Sequence, residues 1–128
     1  MKKEGVRRVA GFAEAALADD NLTVEIIADG SHLPASVMKL TIKAKGVDRV
    51  CLVTNATAGA GLPEGSEFMI GDIGATVTDG VGLMSDKSRL AGSTSQMITM
   101  VRTLVQSVGI SVVEAVHMAS LTPARVLG

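Results

Sequence analysis

The chain has 128 residues, enough for one domain with a real core and well short of the roughly 250 residues of a complete eight-stranded α/β barrel. Twelve basic residues against 13 acidic ones leave a net charge of −1, and two Phe are the only aromatics, so neither nucleic acid nor an anionic membrane is expected as partner. Hydrophobic content of 47% from Ala, Val, Leu, Ile and Met indicates a globular chain, and the single Cys51, set in an apolar run, excludes an internal disulfide and fits a reducing, cytoplasmic setting.

In chain order, the basic start Met1-Lys-Lys-Glu-Gly-Val-Arg-Arg8 is not followed by the apolar core of a signal peptide, and no run is long enough to span a membrane. Thr23 to Ala28 reads as a first strand, followed by the turn Asp29-Gly-Ser-His32. Pro34 suits the opening of a helix, Val37, Leu40, Thr41 and Ala44 recur at helical spacing, and Gly46 stops it. Val50 to Thr54 is a continuous β-branched and aliphatic run of the kind buried in a parallel sheet. Two such strands joined by a helix make a right-handed βαβ unit.

After a loop at 56–65 the texture changes. Glu67 to Ile70, Ala75 to Thr78 and Val81 to Ser85 read as short strands with Asp79-Gly80 as a hairpin turn, a β-hairpin insertion over about 66–86 within a single domain. Helical pattern returns with Met97, Val101, Leu104, Val105 and Val108 on one face and Gly109 at its end. Ser111-Val-Val-Glu114 is a capping box, and Thr122-Pro123 opens a last short helical turn.

Asn55 stands where the second strand runs into its loop, the position at which α/β barrels place their chemistry. An asparagine cannot ionise and so cannot act as a general base. Gly59-Ala60-Gly61 lacks the Lys-Ser/Thr ending of a phosphate loop and reads as a flexible lip of the site. Asp29 reads as a turn residue that shapes the loop. His117 is expected to be structural, and Met97, Met100 and Met118 to be packing. On charge alone Arg7 and Arg8 are an ordinary solvated pair.

Four segments carry a resemblance: Ile-Ile-Ala-Asp-Gly-Ser-His (26–32), Leu-Val-Thr-Asn-Ala-Thr-Ala (52–58), Leu-Ala-Gly-Ser-Thr (90–94) and Met-Ala-Ser-Leu-Thr-Pro-Ala-Arg (118–125). In order and spacing they resemble the C-terminal part of the barrel in the N-acetylglucosamine-6-phosphate deacetylases of the amidohydrolase superfamily. The resemblance implies a partial (β/α)8 TIM barrel, its last two βα units, and a parent reaction that releases acetate from an N-acetylated amino-sugar phosphate with a divalent metal such as zinc. It implies that His32 binds substrate near the amide carbonyl and that Asn55 occupies the place of the acid/base aspartate. Arg8 resembles an arginine that contacts the substrate phosphate, often across a homodimer interface, although Val9-Ala10 replaces the usual Glu-Pro beside it. Ala91, Gly92 and Ser93 resemble a loop that lies against the sugar.

Two departures follow. The metal ligands of the family come from earlier strands, and with His32 and His117 as the only histidines this chain offers no metal site of its own. Asn55 preserves shape but not proton transfer. The chain alone is therefore expected to be inactive. Two alternatives stand beside this reading: a non-catalytic binding or assembly module, such as a half-barrel completed by a partner chain, and a truncated gene product.

Overall fold

The computed structural model describes residues 11–128; Arg7 and Arg8 lie outside the described residues. Among those described, five α-helices and six strands form a mixed α/β arrangement with two sheets. Helix α1 (Phe12–Ala18), which the sequence reading did not anticipate, precedes strand β1 (Val24–Ile26). Helix α2 (Ala35–Lys45) and a 3-10 turn (Val47–Arg49) lead to strand β2 (Val50–Leu52). β1 and β2 pair in parallel, Val24 opposite Val50 and Ile26 opposite Leu52, and a bond from Val53 N–H to the Ile26 carbonyl at 3.0 Å extends the ladder past its last pair. Both strands are shorter than the apolar runs that announced them, because the chain turns away towards Asp29 and Asn55 at their carboxyl ends.

The face of α2 differs from its expected phase. Met38, Thr41, Ile42 and Lys45 are buried, whereas Val37, Leu40 and Ala44 face outwards. Pro34 takes the capping position just before the helix rather than its first turn. Aliphatic residues on both sides left the stripe ambiguous, and Lys45 hid its true edge. The Lys45 stem lies in the interior while its ammonium donates to the Ala16 carbonyl at 3.1 Å and to the Asp19 carbonyl. It thus caps the end of α1, where backbone carbonyls lack intrahelical partners.

The second sheet is an antiparallel meander of β3 (Glu67–Ile70), β4 (Ile73–Thr78), β5 (Val81–Met84) and β6 (Leu90–Ser93). Asp79 and Gly80, at φ 50° and 78°, make the tight turn between β4 and β5. The fourth strand extends this β segment beyond the expected hairpin. It pairs antiparallel with β5, Val81 opposite Ser93 and Leu83 opposite Leu90, and its last residue is tied to the chain after β2: Ser93 N–H donates to the Asn55 carbonyl and Thr57 N–H to the Ser93 carbonyl, each at 3.0 Å. The loop at 56–65 is tied down rather than loose. Gly59 is buried, and a side chain there would reach within 2.5 Å of the Phe68 ring, so glycine lets the loop lie on the small meander core of Phe68, Ala75 and Val77.

The larger core lies under β1 and β2. Helix α3 (Met97–Thr103) runs into a π-helical turn (Leu104–Val108), and α4 (Val112–Ala119) and α5 (Leu121–Leu127) follow. Met100, Leu104, Ala115 and Met118 pack with Ile26, Met38, Val50 and Leu52. Each fully buried side chain of this size contributes about 2 kcal/mol. The capping box at α4 is closed in both directions: Glu114 N–H donates to Ser111 Oγ at 3.2 Å, and Ser111 N–H donates to the Glu114 carboxylate at 2.9 Å. His117 is structural, donating through Nε2 to Asp48 Oδ1 at 2.9 Å, where Arg125 also donates. Cys51 is buried, and burial, reinforced by Glu25 opposite, pushes its thiol pKa up, away from nucleophilic use.

Candidate functional site

The carboxyl ends of β1 and β2 lie side by side, and the loops leaving them carry the residues that sequence singled out. At the end of β1 the turn is built by Asp29. Its Oδ1 accepts from the backbone N–H groups of Ser31 and His32, both at 2.9 Å, and its Oδ2 lies 2.7 Å from His32 Nδ1. The Asp29 side chain is 1% exposed and that of His32 18%. Burial raises the Asp29 pKa, but the backbone N–H groups of His32 and Ser31, the His32 ring and the Ser93 side chain together outweigh it and hold the carboxyl below its ordinary value. An ionised carboxylate only accepts, so Nδ1 of His32 carries a proton and donates to Asp29, which leaves Nε2 to face a ligand.

The sign of this shift makes a prediction. A carboxylate whose folded pKa is depressed adds stability above its unfolded pKa, near 3.9, and loses it as pH falls through the folded value. Urea midpoints should therefore fall more steeply between pH 6 and pH 3 for the wild type than for Asp29→Asn. Parallel curves would remove Asp29 from the acid response.

At the end of β2, Asn55 is exposed and sits at φ 49°, a left-handed conformation that asparagine tolerates better than most residues. Gly92 on β6, at φ 76°, lies directly beneath it: a Cβ there would stand 2.5 Å from Thr57 Cγ2 and 3.2 Å from the Asn55 carbonyl oxygen. Asn55, Thr57, Ala91 and Gly92 line an open groove of about 360 Å³, whose other walls are Ile70, Ile73, Met84, Arg89 and Leu90 from the meander. The groove thus gathers three expected residues, Asn55, Ala91 and Gly92. Ser93 is fully buried behind it on the Asp29 side, and His32 does not line it. Arg8 lies outside the described residues. Thr57 and Arg89 escaped the sequence reading. Arg89 adjoins the Leu-Ala-Gly-Ser segment, but only the strand pairing brings it to the groove.

A family model described as the amidohydrolase family matches residues 2–128. The chain belongs to the amidohydrolase family. A curated relative from Escherichia coli (strain K12), whose name assigns it only provisionally to the N-acetylgalactosamine-6-phosphate deacetylases, is 38% identical over 122 residues. That match covers 94% of this chain and 71% of the relative. The N-acetylgalactosamine-6-phosphate deacetylase of Escherichia coli O157:H7 is likewise 38% identical, over 94% of this chain but 31% of its own length. Among solved structures, the N-acetylglucosamine-6-phosphate deacetylase of Pasteurella multocida aligns with a TM-score of 0.84 at 35% identity, covering 94% of this chain and 31% of that one. A mutant Mycobacterium smegmatis N-acetyl-D-glucosamine-6-phosphate deacetylase in complex with N-acetyl-D-glucosamine-6-phosphate aligns at 0.87 and 32% identity, over 98% of this chain and 34% of that one. This amidohydrolase-family chain spans about a third of the length of most of the relatives it matches.

A metal is the group that such a family brings to mind, and the described residues do not fit one. Among them no three His, Cys, Asp or Glu side chains come together as a ligand set. His32 could offer Nε2 alone, its Nδ1 being bonded to Asp29, and Asn55 offers a neutral amide, which together fall short of a ligand set. Among the described residues no helix is long and apolar enough to cross a membrane.

Proposed function

We propose that this chain forms the last two βα units of a (β/α)8 barrel, as one domain with the β meander inserted, and carries the sugar-facing part of an amino-sugar-phosphate deacetylase site. The ligand is an N-acetylated amino-sugar phosphate. His32 binds it near the amide carbonyl through Nε2, Ala91 and Gly92 form the wall against the sugar with Ser93 buried behind them, and Arg8 meets the phosphate. Asn55 stands at the acid/base position. The observation that carries this reading is the exposed Asn55 amide at the carboxyl end of β2, seated on Gly92 at the floor of the groove.

The chain as it stands does not turn over such a substrate. Deacetylation needs a group that takes a proton from the attacking water and delivers one to the leaving amine. The Asn55 amide can orient a water or a carbonyl by hydrogen bonding, but it has no basic lone pair to accept the proton. In a complete enzyme of this kind other parts of the barrel would hold a divalent metal, zinc or similar, whose chemistry would be to activate the water, and the reaction would belong to the cytoplasm. Incubation with N-acetylglucosamine 6-phosphate or its galactosamine isomer should release no acetate above the uncatalysed rate. Asn55→Asp alone should not restore release, while both proteins bind the ligand by NMR titration. Turnover by the unaltered chain would sink this reading.

A second reading draws on the β1–β2 pair. Two parallel strands expose backbone donors and acceptors on their outer edges, and Val37 and Leu40 turn apolar surface outwards nearby. A partner half-barrel or a second copy of this chain would cover them. Size-exclusion chromatography separates the readings, since a monomer across a hundredfold concentration range argues against an obligate partner.

A further inference from the structure

The groove over Asn55 carries chemistry that the assignment of His32, Asn55, Arg8 and residues 91–93 leaves unused. Its meander side is aliphatic, formed by Ile70, Ile73, Met84 and Leu90, and Arg89 is the one charged side chain in its lining. Arg89 is exposed, and its Nε–H makes a 3.0 Å contact with the Met84 sulfur, a weak acceptor. Among the described residues no carboxylate lies within ion-pair distance of its guanidinium. Asp86 is near enough for Arg89 to help lower its pKa, but the Asp86 carboxylate is already bonded by the Ser88 hydroxyl at 2.7 Å and the Ser88 N–H at 2.9 Å. The Nε contact leaves the planar Nη pair without a partner among the described residues, and that pair suits two oxygens of one anion.

We propose that Arg89 is a specificity-determining residue that pairs with an oxyanion carried by the amino-sugar ligand, a carboxylate or a phosphate, at the meander end of the groove. The inference rests on the reading of Asn55 as the place where the reacting amide sits. From there the ligand extends across apolar walls, and a group that ends in an anion meets Arg89. Two ligand features carry such an anion: a carboxylate at the end of an N-acyl chain longer than acetyl, or the sugar phosphate, which Arg89 would then hold in place of Arg8.

The test is titration of the whole chain by NMR with N-acetylglucosamine, N-acetylglucosamine 6-phosphate, N-succinylglucosamine and inorganic phosphate, repeated with Arg89→Gln and Arg89→Lys. The expected result is that one of the two charged sugars binds at least tenfold more weakly to Arg89→Gln, the size expected for losing a charge-assisted pair. N-acetylglucosamine should be unaffected, and Arg89→Lys should fall between. Whichever charged sugar responds identifies the anion. Equal affinities for wild type and Arg89→Gln overturn the proposal, as does the absence of anion binding by the wild type. If inorganic phosphate binds in an Arg89-dependent way while no amino sugar binds at all, the sugar-site reading fails and the anion site stands. Circular dichroism of both variants reads folding separately, and Arg89→Lys keeps the test alive if the glutamine variant unfolds.

Discussion

Leu104→Ala is expected to lower the free energy of unfolding by about 3 kcal/mol, a large share of the total for a chain of this size. Leu104 is fully buried where α3 passes into its π-helical turn. It belongs to the cluster that joins Met38 of α2, Met100 of α3 and Ala115 and Met118 of α4 to the undersides of β1 and β2. Truncation removes the transfer energy of the lost methyl groups and leaves a void that helices fixed on several sides cannot collapse into. The carbonyl of Leu104 also accepts from Gly109 N–H at 3.0 Å, and this backbone bond survives the substitution, so the loss reports packing alone. Urea unfolding followed by helical circular dichroism measures it. A shift below about 1 kcal/mol would mean that the π-helical turn repacks freely and that the core is looser than its burial implies.

Gly82→Ala should cost about 2 kcal/mol and also disable the groove. Gly82 lies on β5 where its register with β6 shifts between Val81 and Leu83. A Cβ there would stand 2.6 Å from the Ala91 carbonyl oxygen and 2.8 Å from the Phe68 ring. The ring belongs to the meander core and the carbonyl to the backbone, so neither can rotate aside. Relief comes only by moving β6 away, and β6 carries Ala91, Gly92 and the pairing to Asn55. The variant should thus lose both stability and affinity for the amino-sugar ligands proposed above. Loss of stability with affinity intact would show that the groove does not depend on the seating of β6.

What the sequence made legible was chemistry within a few residues. The Asp79-Gly80 turn, the Ser111–Glu114 capping box and the Asp29 turn each state their own geometry, because donor and acceptor are neighbours in the chain. The buried run at 50–52 was equally plain, since every one of its residues is apolar and interior. The failures have the opposite character. The phase of α2 depended on which of two apolar faces meets the sheet, and a lysine supplied part of the buried one. Strand β6 pairs with β5 across a register shift and is tied at Ser93 to Asn55 and Thr57, more than 30 residues away in sequence, and Leu-Ala-Gly-Ser alone reads as a loop. Arg89 joins the groove for the same non-local reason. The family resemblance found the end of β2 and the 90–94 segment, but not the aliphatic wall that the meander lays beside them.

The left-handed backbone at Asn55 has an evolutionary consequence. Asparagine, aspartate and glycine are the residues that such a conformation tolerates best, while β-branched and bulky side chains are disfavoured. Asparagine and aspartate also share shape, so exchange between them changes a protonation capability and leaves the loop in place. A lineage can therefore switch this position between a neutral amide and an ionisable carboxyl by a single step that the scaffold barely registers. Stability selection would see little difference between the two states, and only selection on the protonation capability itself would hold the position to one of them.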